Sequence, residues 1–285
     1  MTVDIIDKDH FDDDSTELFS LLQVPWTDTR EQAWESLSGR LKSPVIIQMR
    51  PKIKSWQIAM AASLILLISI GTFMRTFTVK LTTVPSQHLS TRLPDGSKII
   101  LNAGTDISYK PYWWWKKRIV TLQGEAYFDV LTGKSFSVES DMGVTEVLGT
   151  SFNIYSRNRR FEVMCETGKV RVQVSATKSS VVLHPREKAS LLNTGQLQVE
   201  EDVNMENTKA WISNQLVFTS EPLVDVFKEI ERQYNVKIHL PDNLSYTYTG
   251  SFEKKESVEK VLRSICRPFE LQVHKAENNQ FYISK

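Results

Sequence analysis

The sequence predicts a mixed architecture. A helical N-terminal segment is followed by one transmembrane helix, an all-β domain (sandwich or open barrel) and a small α+β domain at the C-terminus. Three observations carry this reading. An uncharged apolar run extends from Trp56 to Met74. Short alternating segments with Gly punctuation fill the chain from about Leu89 to Val199. From Leu216 the apolar period returns to that of a helix, twice.

The span is the clearest element. Trp56 to Met74 has Gln57, Ser63, Ser69 and Thr72 as its only polar side chains. At about 1.5 Å per residue, such a helix roughly matches the ~30 Å hydrocarbon core of a bilayer. A buried helix of a water-soluble domain normally keeps one polar stripe, and this run has none. A cleaved leader would carry its charged region at the N-terminus, whereas more than fifty residues precede this run. Arg40, Lys42, Arg50, Lys52 and Lys54 lie before it, and Arg75, Lys80 and Arg92 after it. That bias predicts a cytoplasmic segment 1–55, a helix 56–75, and a large part beyond the membrane.

The segment before the span is divided by charge. From Met1 to Glu35 there are ten acidic residues against Lys8 and Arg30, and from Ser36 to Ser55 five basic residues and no acid. The basic stretch reads as a membrane-surface anchor. The acidic head reads as a solvated tail or as a docking face for a basic partner. Asp14 with Glu17 predicts a helix start ahead of Leu18, Phe19, Leu21 and Leu22, and Pro25 ends that helix. Asp28 with Glu31 repeats the signal ahead of Trp34, Leu37 and Leu41 at i, i+3, i+7. Fifty-five residues with two such stripes hardly enclose a core, so their apolar faces call for a partner.

After a spacer at Leu81 to Gln87, the Asp95-Gly96 turn predicts a hairpin. Arg118 to Val130 reads as a strand, a break at Gly124 and a second strand. Val170, Val172 and Val174 alternate with Lys169, Arg171 and Gln173, as in a half-buried strand. This β-rich domain is placed at 85–200 and the α+β domain at 214–285. In the latter, Ser220 with Pro222 is expected to open a helix with Leu223, Val226, Phe227, Ile230 and Tyr234 on one face. Ser257 caps a second helix with Val258, Val261, Leu262, Ile265 and Phe269 on one face. Two strand–helix–strand units predict helices packed on one sheet face and an internal repeat.

The 35 basic and 34 acidic residues nearly cancel, so net charge implies no nucleic-acid partner. Cys165 and Cys266 stand alone and are expected as buried thiols rather than a disulfide. The five histidines are scattered, with neither i, i+4 pairing nor a nearby carboxylate signature, and there is no G-x-S-x-G or P-loop. No metal or cofactor is expected, and a binding or signalling protein is favoured over an enzyme. Of Trp113, Trp114 and Trp115, at least one ring is expected in the core. A carbohydrate or partner platform is the competing role.

D-G-S-K-I-I-L-N-A-G-T (Asp95 to Thr105), R-I-V-T-L-Q-G-E-A-Y-F-D-V, F-S-V-E-S, V-L-G-T-S-F-N-I and E-T-G-K-V-R-V occur in this order. Together they resemble the FecR family of membrane-bound anti-sigma factors of Gram-negative bacteria. The stretch from L-V-F-x-x-x-P-L to the end is similar to the signalling domain of TonB-dependent receptors. The resemblance implies an inner-membrane, single-pass protein. Its cytoplasmic segment would hold an extracytoplasmic-function sigma factor, and its outer domains would receive a signal from an outer-membrane TonB-dependent receptor. It also implies that the inner helices lay apolar faces into grooves of the sigma factor, with Leu18, Leu22, Trp34 and Leu37 as anchors. Packing within the segment is the competing role of each. The resemblance further implies self-cleavage at Gly149-Thr150, for which an ordinary turn is the alternative. A membrane-anchored periplasmic binding or adhesion protein with an incidental tail is the other class of function the sequence allows.

Overall fold

The computed structural model describes residues 29–41 and 54–285. Leu18, Leu22 and the helix expected around them lie outside the described residues. Two units divide the chain, residues 1–60 and 61–285.

Helix α1 runs Arg30–Leu41 and buries none of its residues. Its first turn is closed one residue later than Asp28 and Glu31 suggested. The Thr29 N–H donates to Gln32 Oε1 at 3.0 Å, the backbone half of a capping box. Helix α2 runs Ser55–Thr76, and none of its side chains is buried either. Among the described residues it is the one helix long and apolar enough to cross a membrane.

Beyond it, thirteen strands form two sheets that share one strand. They are β1 Val79–Thr82, β2 Leu89–Arg92, β3 Lys98–Leu101, β4 Asp106–Tyr109, β5 Arg118–Asp129, β6 Phe136–Glu139 and β7 Gly143–Val147. β8 Ser151–Arg157, β9 Arg160–Cys165, β10 Val170–Val174, β11 Ser180–Leu183, β12 Lys188–Leu191 and β13 Leu197–Glu200 complete the set. The first sheet has the order β1-β4-β5-β6-β7-β10-β11, the second β2-β3-β5-β8-β9-β12-β13. All pairings are antiparallel except β5 with β6. The stretch taken as a spacer is partly strand, since Leu81 lies in β1 and pairs with Ile107.

β5 explains how the two sheets close on a common core. Its first half pairs with β4 and its second half with β3 and β8. The expected break at Gly124 is a bend inside one continuous strand. Gly124 has φ +132°, and a Cβ there would stand 2.7 Å from Thr105 Cα, so only glycine lets the strand cross between sheets. Inward residues of both sheets, Phe128, Phe136, Phe152 and Phe161 among them, fill the interior at 0–1% exposure. Phe128 stacks on Phe152 at 5.1 Å between ring centres. Full burial of such a ring contributes roughly 2–3 kcal/mol. Cys165 and Cys266 are buried free thiols.

A short helix α3 (Met205–Thr208) leads to the α+β part. It contains β14 Gln215–Pro222, α4 Leu223–Tyr234, β15 Lys237–His239, β16 Thr247–Glu253, α5 Val258–Cys266, β17 Gln272–Lys275 and β18 Gln280–Ser284. Instead of one sheet there are two. β14 pairs with β16, and β15-β18-β17 form the other. Each strand–helix–strand unit thus starts in the first sheet and ends in the second. Leu223, Val226, Phe227 and Ile230 of α4 and Val261, Leu262 and Ile265 of α5 build a single core with Phe218, Phe281 and Ile283. Ser257 caps α5 as expected, accepting from the Lys260 N–H. Ser220 does not cap α4: it lies in β14 at φ +51°, where the pairing with β16 is irregular, and donates its N–H to Thr249 Oγ1. Pro222 directly precedes the first helical residue instead.

Candidate functional site

Three places carry chemistry or an unfilled surface. The first is α1. Periodicity puts Trp34, Leu37 and Leu41 on one stripe, and they are 69%, 54% and 74% exposed. Large apolar side chains aligned at helical spacing and left exposed among the described residues are a candidate contact surface.

The second is the junction of the β-rich part with the α+β part, where a buried polar chain replaces apolar packing. On the buried side of α4, one turn after Ile230, stands Gln233, fully buried. Its Nε2 donates to Glu229 Oε1 at 2.8 Å and to Asn102 Oδ1 at 2.7 Å. Asn102 Nδ2 donates to Glu125 Oε2 at 2.7 Å, and Asn153 Nδ2 to Glu125 Oε1 at 3.0 Å. Glu125 comes from β5 just after the bend, and Asn153 faces it from β8. Arg232 grips Glu229 through Nε and Nη2 at 3.0 and 2.6 Å. Arg157 donates to the carbonyls of Gly104 and Ala103 and to Thr105 Oγ1. His88 Nε2 lies 3.2 Å from Gln233 Oε1, with the ring edge-on to Trp211.

The two buried carboxylates differ because their neighbours differ. Burial pushes Glu125 up to about 7, Glu229 adds to the rise, and Arg157 with the two Asn amides only partly opposes it. Burial also acts on Glu229, but the adjacent Arg232 and Arg157 guanidiniums outweigh it and hold that carboxyl below its usual range. Burial and the Lys254 ammonium lower His88. Beside this chain of bonds is a cleft of about 620 Å³ whose walls belong to both parts. Arg160 of β9 spans it, donating through Nη1 and Nη2 to Glu221 of β14 at 2.6 and 2.8 Å. Such a bidentate pair fixes orientation as well as attraction. The junction therefore holds the two parts together by directional polar contacts rather than by a greasy seam.

The third is the bend at Gly149-Thr150, between β7 and β8. Gly149 is not in the left-handed region. Its glycine is required by close approach, since a Cβ would stand 2.6 Å from Thr132 Cα. Thr150 is buried, and its hydroxyl makes no hydrogen bond among the described residues. No base therefore touches that oxygen, while the Thr150 carbonyl accepts from the Val130 N–H at 2.9 Å. Among the described residues, no group of three or more His, Cys, Asp or Glu is placed to hold a metal ion. Of the tryptophans, Trp114 is core and Trp115 is 67% exposed.

Reading the sequence singled out Trp34, Leu37, Gly149 and Thr150 and missed the junction. Gln233 carried the one available signal, a polar residue on the buried side of a helix. Glu125, Asn102 and Asn153 carried none, because their partners lie far away in the chain.

A helix of bilayer length, a two-sheet β part built around one bent strand, and an α+β part latched to it follow one another along the chain. Residues 79–171 match the family model described as FecR protein, and residues 215–283 match the one described as FecR, C-terminal. The chain belongs to the FecR family. Two crystal structures of a candidate anti-sigma factor from Parabacteroides distasonis ATCC 8503 are similar to it. Each is 28% identical and covers 73% of this chain and 99% of its own, with TM-scores of 0.68 and 0.67. No curated protein matches the chain.

Proposed function

We propose that this protein is a single-pass anti-sigma factor of the inner membrane. Its segment 1–55 lies in the cytoplasm and holds an extracytoplasmic-function sigma factor. Its β-rich and α+β parts lie in the periplasm and receive the signal from the N-terminal signalling domain of a TonB-dependent receptor. The observation that carries the reading is the bare stripe Trp34, Leu37 and Leu41, on a segment followed directly by a helix of bilayer length. Family membership and the candidate anti-sigma factor to which the chain is similar support it. Leu18 and Leu22 are proposed to extend the same face. The protein acts as a regulator rather than an enzyme, and it touches no nucleic acid directly. Receptor docking is proposed by strand addition at the outer edge of a small C-terminal sheet. A reporter active only in the periplasm should work when fused after residue 85 and fail at residue 45. The reverse pattern would overturn the topology and the sigma-binding role together.

A self-cleavage step at Gly149-Thr150 is proposed as well, favoured by the buried hydroxyl without a partner. The Thr150 oxygen would replace the amide nitrogen on the Gly149 carbonyl carbon, its proton passing to the freed amine, and water would hydrolyse the ester. Two fragments from fresh wild-type protein and one band from Thr150→Ala are expected. One band from both leaves an ordinary bend.

A further inference from the structure

We propose that the loop Lys110–Lys117 is a membrane-interface platform that seats the β-rich part on the lipid headgroups at the outer end of α2. The proposal rests on the reading that α2 spans a bilayer. Two residues alone, Phe77 and Thr78, separate the last helical residue from β1. Val79 pairs with Tyr109, the end of β4, so the loop emerges beside the end of the helix. There the apolar surface of α2 continues onto the loop. Phe73 and Phe77 lie 5.4 Å apart between ring centres, and Tyr112 stands 5.4 Å from Phe77 and 6.1 Å from Phe73.

The loop is built to be held stiffly and to face outward. Trp114 turns into the core, edge-on to Tyr109 at 5.5 Å and to Phe136 at 6.0 Å. Of its neighbours, Trp115 is exposed and Trp113 half-buried, their ring centres 5.9 Å apart, with the Lys116 ammonium 5.4 Å from the Trp113 ring centre. Lys134 reaches across to donate to the Trp115 carbonyl at 3.2 Å. Lys110, Lys116, Lys117 and Lys134 are all exposed, and no acidic residue occurs between Asp106 and Glu125. Trp and Tyr rings belong at the headgroup level, because one side of each is apolar and the other tolerates water. Lysines beside them are attracted by the phosphates of anionic lipids at the membrane surface. Exposed rings and lysines with no acid among them, continuous with an apolar helix, match a lipid surface. A carbohydrate or protein would not require that continuity.

The test uses the full chain in nanodiscs of phosphatidylcholine and phosphatidylglycerol, with one nitroxide per molecule at Trp115→Cys, Lys134→Cys, Leu66→Cys or Glu277→Cys. Cys165 and Cys266 are buried and stay unlabelled. Lys134→Cys keeps all three tryptophans. The ratio of collisions with oxygen to collisions with a water-soluble nickel chelate reports lipid contact. Leu66, mid-helix, should read as lipid and Glu277, in the β17–β18 turn, as water. Labels at 115 and 134 should give ratios several-fold above that at 277. If both match 277 while 66 reads as lipid, the platform is wrong and the span stands. If 66 also matches 277, the span is wrong and the platform falls with it.

Discussion

Helix α2 and helix α4 are both rich in apolar residues, yet they live in opposite conditions. None of α2 is buried, whereas Leu223, Val226, Phe227, Ile230 and Gln233 of α4 are. The difference lies in how the polar residues are placed. α4 keeps Asp225 and Lys228 on its outer side, partly exposed, and turns Glu229, Arg232 and Gln233 to the polar junction, so its apolar stripe alone meets the core. α2 is apolar all round and has no side that suits water. α1 is the intermediate case: Trp34, Leu37 and Leu41 stand exposed at helical spacing, but its apolar side is far weaker than that of α4. Its exposed apolar residues are the ones proposed above to meet a partner.

The comparison breaks if the two stripes respond alike to truncation. Phe227→Ala should cost about 3–5 kcal/mol of stability, since it removes a fully buried ring and leaves a cavity. Trp34→Ala, at an exposed position, should stay within about 0.5 kcal/mol. Denaturant unfolding of the full chain in micelles reads both. A loss at Trp34 close to that at Phe227 would place α1 in a core of the chain itself.

A smaller effect sharpens the contrast inside α4. Gln233→Ala leaves the Glu229 and Asn102 acceptors short of a donor and should cost roughly 1–3 kcal/mol. Gln233→Glu should be worse, because it sets a third acid beside Glu229 and Glu125. An unchanged midpoint in the same unfolding measurement would mean that the polar chain does not hold the junction.

The smallest effect depends on pH. Glu125 is raised to about 7 when folded, so the folded state holds its proton where the unfolded chain has released it. Its stabilising share is complete below the ordinary carboxylate range and is lost as pH rises through about 7. His88 is lowered, so its neutral form favours the fold and its share is lost as pH falls through the ordinary imidazole range. The two effects oppose each other near pH 6.5, so the Glu125 share is read as the difference between wild type and Glu125→Gln, in which the His88 share is common to both. Between about pH 6.5 and 8, wild type should lose about 1 kcal/mol relative to Glu125→Gln. Parallel profiles over that interval would mean that Glu125 stays ionised when folded.

Much of the fold was legible because it rests on local patterns. The alternation of β10, the Asp95-Gly96 hairpin, the Ser257 cap and the stripes of α4 and α5 can each be read from a few neighbouring residues. Gly124 was visible as a break, but its bend depends on Thr105 pressing against it from a separate strand. The two sheets of the α+β part could not be told from one, since which strands pair depends on how both helices share their core. The junction was the least legible. Gln233 and Asn102 meet across 131 positions, and no local spacing marks such a contact. The helix that carries Trp34 and Leu37 was legible for the opposite reason, because its spacing is set within twelve residues.

The most direct measurement of the central claim is retention of a cognate extracytoplasmic-function sigma factor by the full chain in nanodiscs, wild type against Trp34→Ala and Leu37→Ala. Each truncation of a buried anchor should cost about 2 kcal/mol, a rise in Kd of roughly thirtyfold, with the fold of the outer parts unchanged. Equal retention by wild type and both variants would contradict the assignment of the α1 stripe as the sigma-binding face.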